Sequence, residues 1–117
     1  MLMVTPVNAV EPYTAEVIRV TDGDSMKVKL DNGDVKVIRL FGIDAPEMLQ
    51  KDGPIAGRYL ATRVGGEQVI IEELNQDQYG RTIAIVYDKN KINLNMEMVQ
   101  MGFAWVYRQY YMHAMWL

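Results

Sequence analysis

Cysteine is missing from this chain of 117 residues, which excludes disulfide staples, thiolate metal sites and a thiol nucleophile. No apolar run approaches the roughly 18 residues that mark a membrane span, so no membrane partner is expected. The opening residues, MLMVTPVNAVEPYTAEV, lack a basic n-region and a clear h-region. They read as a short arm over residues 1–14 rather than as a signal peptide. Localisation stays open between a cytoplasmic protein and a secreted one whose leader has been processed away. A basic excess is missing too: 12 Lys and Arg face 15 Asp and Glu, for a net charge of -3. Nucleic-acid binders usually carry a basic surface, so the balance argues against a broad electrostatic grip on a polyanion. It is compatible with carboxylates gathered around a divalent cation that brings positive charge of its own. The only histidine, His113, reads as structural or solvent-exposed rather than catalytic.

What is present is an ordinary globular composition, 50% hydrophobic and 23% charged, in a chain long enough to bury a core without staples. Period-two alternation predicts strands over 16–20 and 25–30. Asn32-Gly33 between the second and third strands is a strong hairpin signal, because both residues tolerate positive φ. Residues 35–43 read as one longer strand, with Val35, Val37 and Arg39 on one face and Gly42 as a bulge or close approach. Pro54 opens a helix over 54–64 that Gly65-Gly66 closes. Strands follow over 68–74 and 81–87. A second helix has Asn93 as N-cap, Leu94, Met98 and Met101 on its apolar face, and Gly102 as its stop. Three strands, a helix, two strands and a helix suit a mainly β (α+β) five-stranded OB-type barrel in one domain over 15–117.

Three clusters carry candidate chemistry: Asp22-Gly23-Asp24, Arg39 with Asp44 and Glu47, and Asp77 to Arg81. Singly, each has a bland reading. Asp-Gly is a common turn, Asp-Ala-Pro-Glu serves as a loop, and Tyr-Gly-Arg is a turn with a solvated arginine. Arg39 is less easily dismissed, because on the inner side of a barrel it needs an anionic partner. Taken together, Asp22-Gly23-Asp24-Ser25, Arg39-Leu40-Phe41-Gly42-Ile43-Asp44-Ala45-Pro46-Glu47, Asp77-Gln78-Tyr79-Gly80-Arg81 and Leu94-Asn95-Met96-Glu97-Met98-Val99 with Gly102-Phe103-Ala104 resemble the staphylococcal nuclease family in order and spacing.

That resemblance implies a calcium-dependent nuclease acting on DNA, RNA or both, with cleavage on the 5′-oxygen side leaving 3′-phosphates. It implies Ca2+ ligands in Asp24, Asp44 and the backbone carbonyl of Ala45, where family members often carry Thr. Glu47 matches the general base or water-orienting group. Arg39 and Arg81 match the phosphate-binding arginines, whose planar forks suit phosphate oxygens. Asp22 matches an acidic position near the metal, with a plain turn residue as its other reading. Tyr79, Tyr110 and Tyr107 match substrate-contacting tyrosines, although an ungapped register puts Arg108 at one of the base-side positions.

Two departures from the family stand out. The loop from Glu47 to Pro54 is short and poor in lysine, and the C-terminal helix is shortened. The aromatic C-terminal end either packs back on the barrel or leaves an apolar patch for a homodimer or higher oligomer. The alternative function is a catalytically weak or inactive binding module for nucleic acid or protein. Such modules typically lose several charged site residues, whereas Asp24, Arg39, Asp44, Glu47 and Arg81 are all present.

Overall fold

A computed structural model of the chain describes residues 11–106. Seven strands and two helices follow in the order β1 (Tyr13–Asp22), β2 (Ser25–Lys29), β3 (Val35–Leu40), β4 (Ile43–Asp44), α1 (Gly53–Val64), β5 (Gln68–Gln76), β6 (Thr82–Tyr87), α2 (Leu94–Gln100) and β7 (Trp105–Val106). Five of the strands close into a barrel in the order β1-β2-β3-β6-β5, the OB-type fold expected. Neighbours are antiparallel except β3 and β6, which run parallel with Arg39 opposite Ile83. A parallel pair requires a long crossover, here made by β4, α1 and β5. Strand β4 leaves the barrel and pairs with β7, Asp44 opposite Trp105.

Inward-facing residues of the strands, among them Val17, Met26, Val28, Ile38, Leu40 and Ile71, are fully or almost fully buried. Leu60 and Val64 of α1 and Leu94 and Met98 of α2 join that core. The β2–β3 hairpin forms where Asn-Gly predicts it, but only Gly33 takes positive φ, at 93°. Asn32 instead accepts from the Asp34 N–H at 2.9 Å, an Asx-type turn rather than two left-handed residues.

Two expectations need correction. Residues 35–43 are not one strand: the chain turns at Phe41-Gly42, with Gly42 at φ 79°, and resumes as β4. Arg39 shares the outer face of β3 with Val35 and Val37, as expected, because Ile38 and Leu40 take the core face and the strand alternates. Met101 is not on the packed face of α2: it is 54% exposed, because the helix ends at Gln100 and Met101 is its C-cap. Asn93 caps that helix as expected, accepting from the Met96 N–H at 3.0 Å.

The two helices are joined by an ion-pair network with no sequence signal of its own. Arg63 of α1 donates through Nη2 to Asp88 Oδ2 at 2.6 Å and through Nε to Glu97 Oε2 at 2.8 Å. Burial alone would raise the Asp88 pKa, but Arg63 and the N–H groups of Ile92 and Asn90 hold it below the usual carboxylate value. A depressed carboxylate contributes stability above its unfolded pKa, and that contribution is lost as pH falls through the folded value. We therefore expect the melting temperature of Asp88→Asn to fall less steeply than that of wild type as pH is lowered from about 5 to 3. Parallel slopes in thermal melts would contradict this role.

Candidate active site

Three chain reversals carry the candidate residues, and the first two meet beside the C-terminal end of β3. The first is the β1–β2 turn. A Cβ on Gly23 would lie 2.8 Å from Ala56 Cβ of α1 and 2.9 Å from Ala45 Cβ. Glycine therefore lets this turn press between the helix and the loop after β4, with Asp24 only 5% exposed. The Asp24 carbonyl accepts from the Leu40 N–H at 2.8 Å, and Ser25 lies opposite Arg39 in the β2–β3 ladder. Asp24 is thereby held beside Arg39. The second reversal, at Phe41-Gly42, brings Asp44 back to the same guanidinium.

Arg39 Nη2 lies 3.4 Å from Asp24 Oδ2 and 3.5 Å from Asp44 Oδ1. Its Nη1 donates to the Leu40 carbonyl at 2.9 Å. Asp24 Oδ2 also accepts from the Ala45 N–H at 2.8 Å, and Asp22 Oδ1 accepts from the Asp24 N–H at 3.3 Å. Both readings of Asp22 are thus compatible with its place: it shapes the turn and stands next to the cluster.

Burial, followed by the side-chain hydrogen bond to Asp22, pushes the Asp24 carboxyl up to about 7, against the lowering effects of the Ala45 N–H and Arg39. Asp44 is also raised, by burial and then by the charge of Asp24. Two carboxyls held together away from water resist ionising, and one guanidinium does not fully offset this. Such a pair favours a cation, and its oxygens are the donor type that calcium requires. Among the described residues no group of three His, Cys, Asp or Glu side chains is disposed to hold a metal ion. The side chains that could hold a cation at this cluster are the carboxylates of Asp24 and Asp44.

The third reversal is the β5–β6 loop. Asp77 Oδ1 accepts from the N–H groups of Tyr79 and Arg81, both at 2.9 Å, and its Oδ2 accepts from Arg81 Nε at 2.7 Å. The Arg81 guanidinium carbon lies 5.7 Å from the Tyr79 ring centroid, and that ring is 75% exposed. Arg81 directly precedes β6, two residues before the partner of Arg39 in the parallel ladder. A period-two pleat puts Arg81 on the same outer face as Ile83, and hence as Arg39.

Glu47 is not brought into contact with the cluster. It lies in the exposed loop after β4, where its N–H donates to Gln50 Oε1 at 2.7 Å. No hydrogen bond or ion pair of its carboxylate is present among the described residues. Tyr107 and Tyr110 lie outside the described residues, as does the C-terminal segment on which the shortened helix and the dimer expectation rest. No helix among the described residues is long and apolar enough to cross a membrane.

The sequence that builds this arrangement has counterparts among known proteins. The family profile described as staphylococcal nuclease homologue matches residues 37–115. The chain belongs to that family. Among its relatives is an uncharacterized endonuclease of Escherichia coli O157:H7, 40% identical over 80% of this chain and 61% of the relative. An uncharacterized endonuclease of Haemophilus influenzae is 37% identical over 86% of this chain and 56% of the relative. The micrococcal nuclease of Shigella flexneri is 36% identical over 94% of this chain and 67% of the relative. The chain thus spans about three fifths of the length of the first two relatives. Within this family fold, two contributions escaped the reading of functional residues. The close packing of Gly23 was readable only as a turn. Asn95 was part of the family match, but without a role.

Proposed function

We propose that the chain is a calcium-dependent phosphodiesterase that hydrolyses DNA or RNA, cleaving on the 5′-oxygen side and leaving 3′-phosphates. The observation carrying this reading is the convergence of Asp24, Asp44 and Arg39 in a family several of whose relatives are named nucleases. Asp24, Asp44 and the Ala45 carbonyl would hold the calcium ion, which when bound would supply positive charge to attract and polarise a phosphate. Arg39 and Arg81 present guanidinium forks to the phosphoryl oxygens. These donors stabilise the transition state more than the ground state, because negative charge accumulates on those oxygens as the bond breaks. Glu47 accepts a proton from the attacking water, or orients that water for in-line attack on phosphorus. Tyr79 offers an exposed aromatic face close to the phosphate end of the substrate.

One observation favours the second reading, a binding module: the Glu47 carboxylate has no hydrogen-bond or ion-pair partner among the described residues. Hydrolysis of a labelled single-stranded DNA oligonucleotide separates the two readings. Wild type is expected to cleave with calcium and not with excess chelator, and Glu47→Gln is expected to be at least about a hundredfold slower, at the low end of general-base contributions. Well-folded wild-type protein that binds the oligonucleotide without cleaving it, with or without calcium, would establish the binding module instead.

A further inference from the structure

Asn95 is a polar side chain at the start of α2, yet it is only 1% exposed. Its Oδ1 accepts from the Val86 N–H at 3.0 Å. Its Nδ2 donates to the Ala84 carbonyl at 3.1 Å and to the Phe41 carbonyl at 3.0 Å. The Ala84 carbonyl also accepts from the Phe41 N–H at 2.8 Å. One amide thus extends the β3–β6 pairing beyond the last strand residue and fastens it to α2. Phe41 opens the reversal that separates Arg39 from Asp44. The bond to Asn95 is therefore made at the hinge between the phosphate-binding arginine and a metal-binding carboxylate.

We propose that Asn95 is a positioning residue of the active site, fixing the Phe41-Gly42 turn so that Arg39 and Asp44 hold their relative placement. The consequence for catalysis rests on the proposed nuclease reading; the consequence for the turn does not. An amide is suited to this task because it combines one acceptor with a two-proton donor. Aspartate at the same position keeps the acceptor toward Val86 but faces two carbonyls with an oxygen, leaving them without a donor. Serine keeps a hydroxyl donor but is too short to reach both Val86 and Phe41.

The test compares Asn95→Asp and Asn95→Ser with Asn93→Ala, which removes the α2 N-cap and touches neither Phe41 nor Ala84. All three are measured well below their melting temperatures. Amide hydrogen exchange in the apo proteins is expected to accelerate at least tenfold at residues 41–44 in both Asn95 variants and to stay at the wild-type rate there in Asn93→Ala. In the oligonucleotide assay kcat is expected to fall at least thirtyfold in the Asn95 variants with a KM change under threefold, and to stay within threefold of wild type in Asn93→Ala. Unchanged exchange at 41–44 in a folded Asn95 variant would overturn the proposal. So would equal loss of kcat in Asn93→Ala, which would make the effect one of stability alone. If wild type proves inactive, the nuclease reading fails while the exchange comparison still decides the claim about the turn. If both Asn95 variants are too unstable to measure, Asn95→Gln, which keeps the amide but displaces it by one methylene, is compared with wild type and Asn93→Ala: exchange at 41–44 is expected to be at least tenfold faster than in either, and exchange there at the wild-type rate would overturn the proposal.

Discussion

Arg39→Lys is expected to lower kcat/KM by about 10²–10³, equivalent to roughly 3–4 kcal/mol of transition-state stabilisation and on the scale of losing one oxyanion-type donor. Charge is not what is lost, since lysine remains an ammonium. The loss is of geometry. Arg39 holds Asp24 and Asp44 through Nη2 at 3.4 and 3.5 Å and the Leu40 carbonyl through Nη1, with its side chain 13% exposed. The fork is thereby oriented before substrate arrives. An ammonium lacks two fixed N–H directions and cannot satisfy these acceptors while presenting a planar edge to phosphate. Thermal melting should move little by comparison, because Arg39 lies on the outer face of β3 and the core beneath it is unchanged. A variant within fivefold of wild-type kcat/KM would mean that Arg39 supplies only charge.

Gly53→Ala is expected to be the most disruptive of the glycine replacements. An added Cβ would sit 1.7 Å from the Glu47 carbonyl oxygen and 2.6 Å from its carbon. Both are backbone atoms, so no rotamer change relieves the overlap. Either α1 must start later or the segment carrying Glu47 must move. Overpacking costs typically ~1–3 kcal/mol and occasionally more, and an overlap with fixed backbone belongs at the upper end, lowering the melting temperature by roughly 10 °C in a domain of this size. Activity measured on the folded protein should fall as well, because displacement of this loop moves Glu47. Gly66 is the control: an added Cβ meets nothing within 4 Å, and only its φ of 76° is unfavourable. Gly66→Ala should therefore cost about 1 kcal/mol and leave turnover unchanged. Equal effects at the two positions would show that backbone conformation, not contact with the Glu47 loop, sets the cost.

The legible parts of this fold are those where one residue type enforces a local geometry. Asn32-Gly33 marks the hairpin, Pro54 and Gly65-Gly66 bracket α1, and Asn93 caps α2. The misread parts are those where tertiary contacts choose among similar patterns. The run from Val35 to Ile43 is apolar throughout its second half, so periodicity could not separate β3 from β4. The break depends on Gly42 and on the bond from Asn95, which lies 53 positions beyond it in sequence. Met101 has the spacing of a packed residue, yet the helix stops just before it.

The same division holds for the candidate site. Asp24, Arg39 and Asp44 could be picked out because they fall in turns and strand ends with family spacing, and the structure places them around one guanidinium. The Arg63, Asp88 and Glu97 network joins residues from three separate segments, and no local pattern links them. Arg81 reaches its position through the parallel β3–β6 register, a nonlocal pairing. Glu47 sits in an exposed loop after β4, where its carboxylate makes no hydrogen bond or ion pair among the described residues.

The central claim is that Asp24 and Asp44, facing one another across Arg39, form the calcium-dependent hydrolytic centre. Its most direct test is calcium titration of wild type, Asp24→Asn and Asp44→Asn by calorimetry, with cleavage of the same labelled oligonucleotide followed on each sample. The expected result is a single calcium site in wild type, weakened at least tenfold in each variant, with cleavage lost in parallel. Calcium affinity and cleavage unchanged in either folded variant would contradict it.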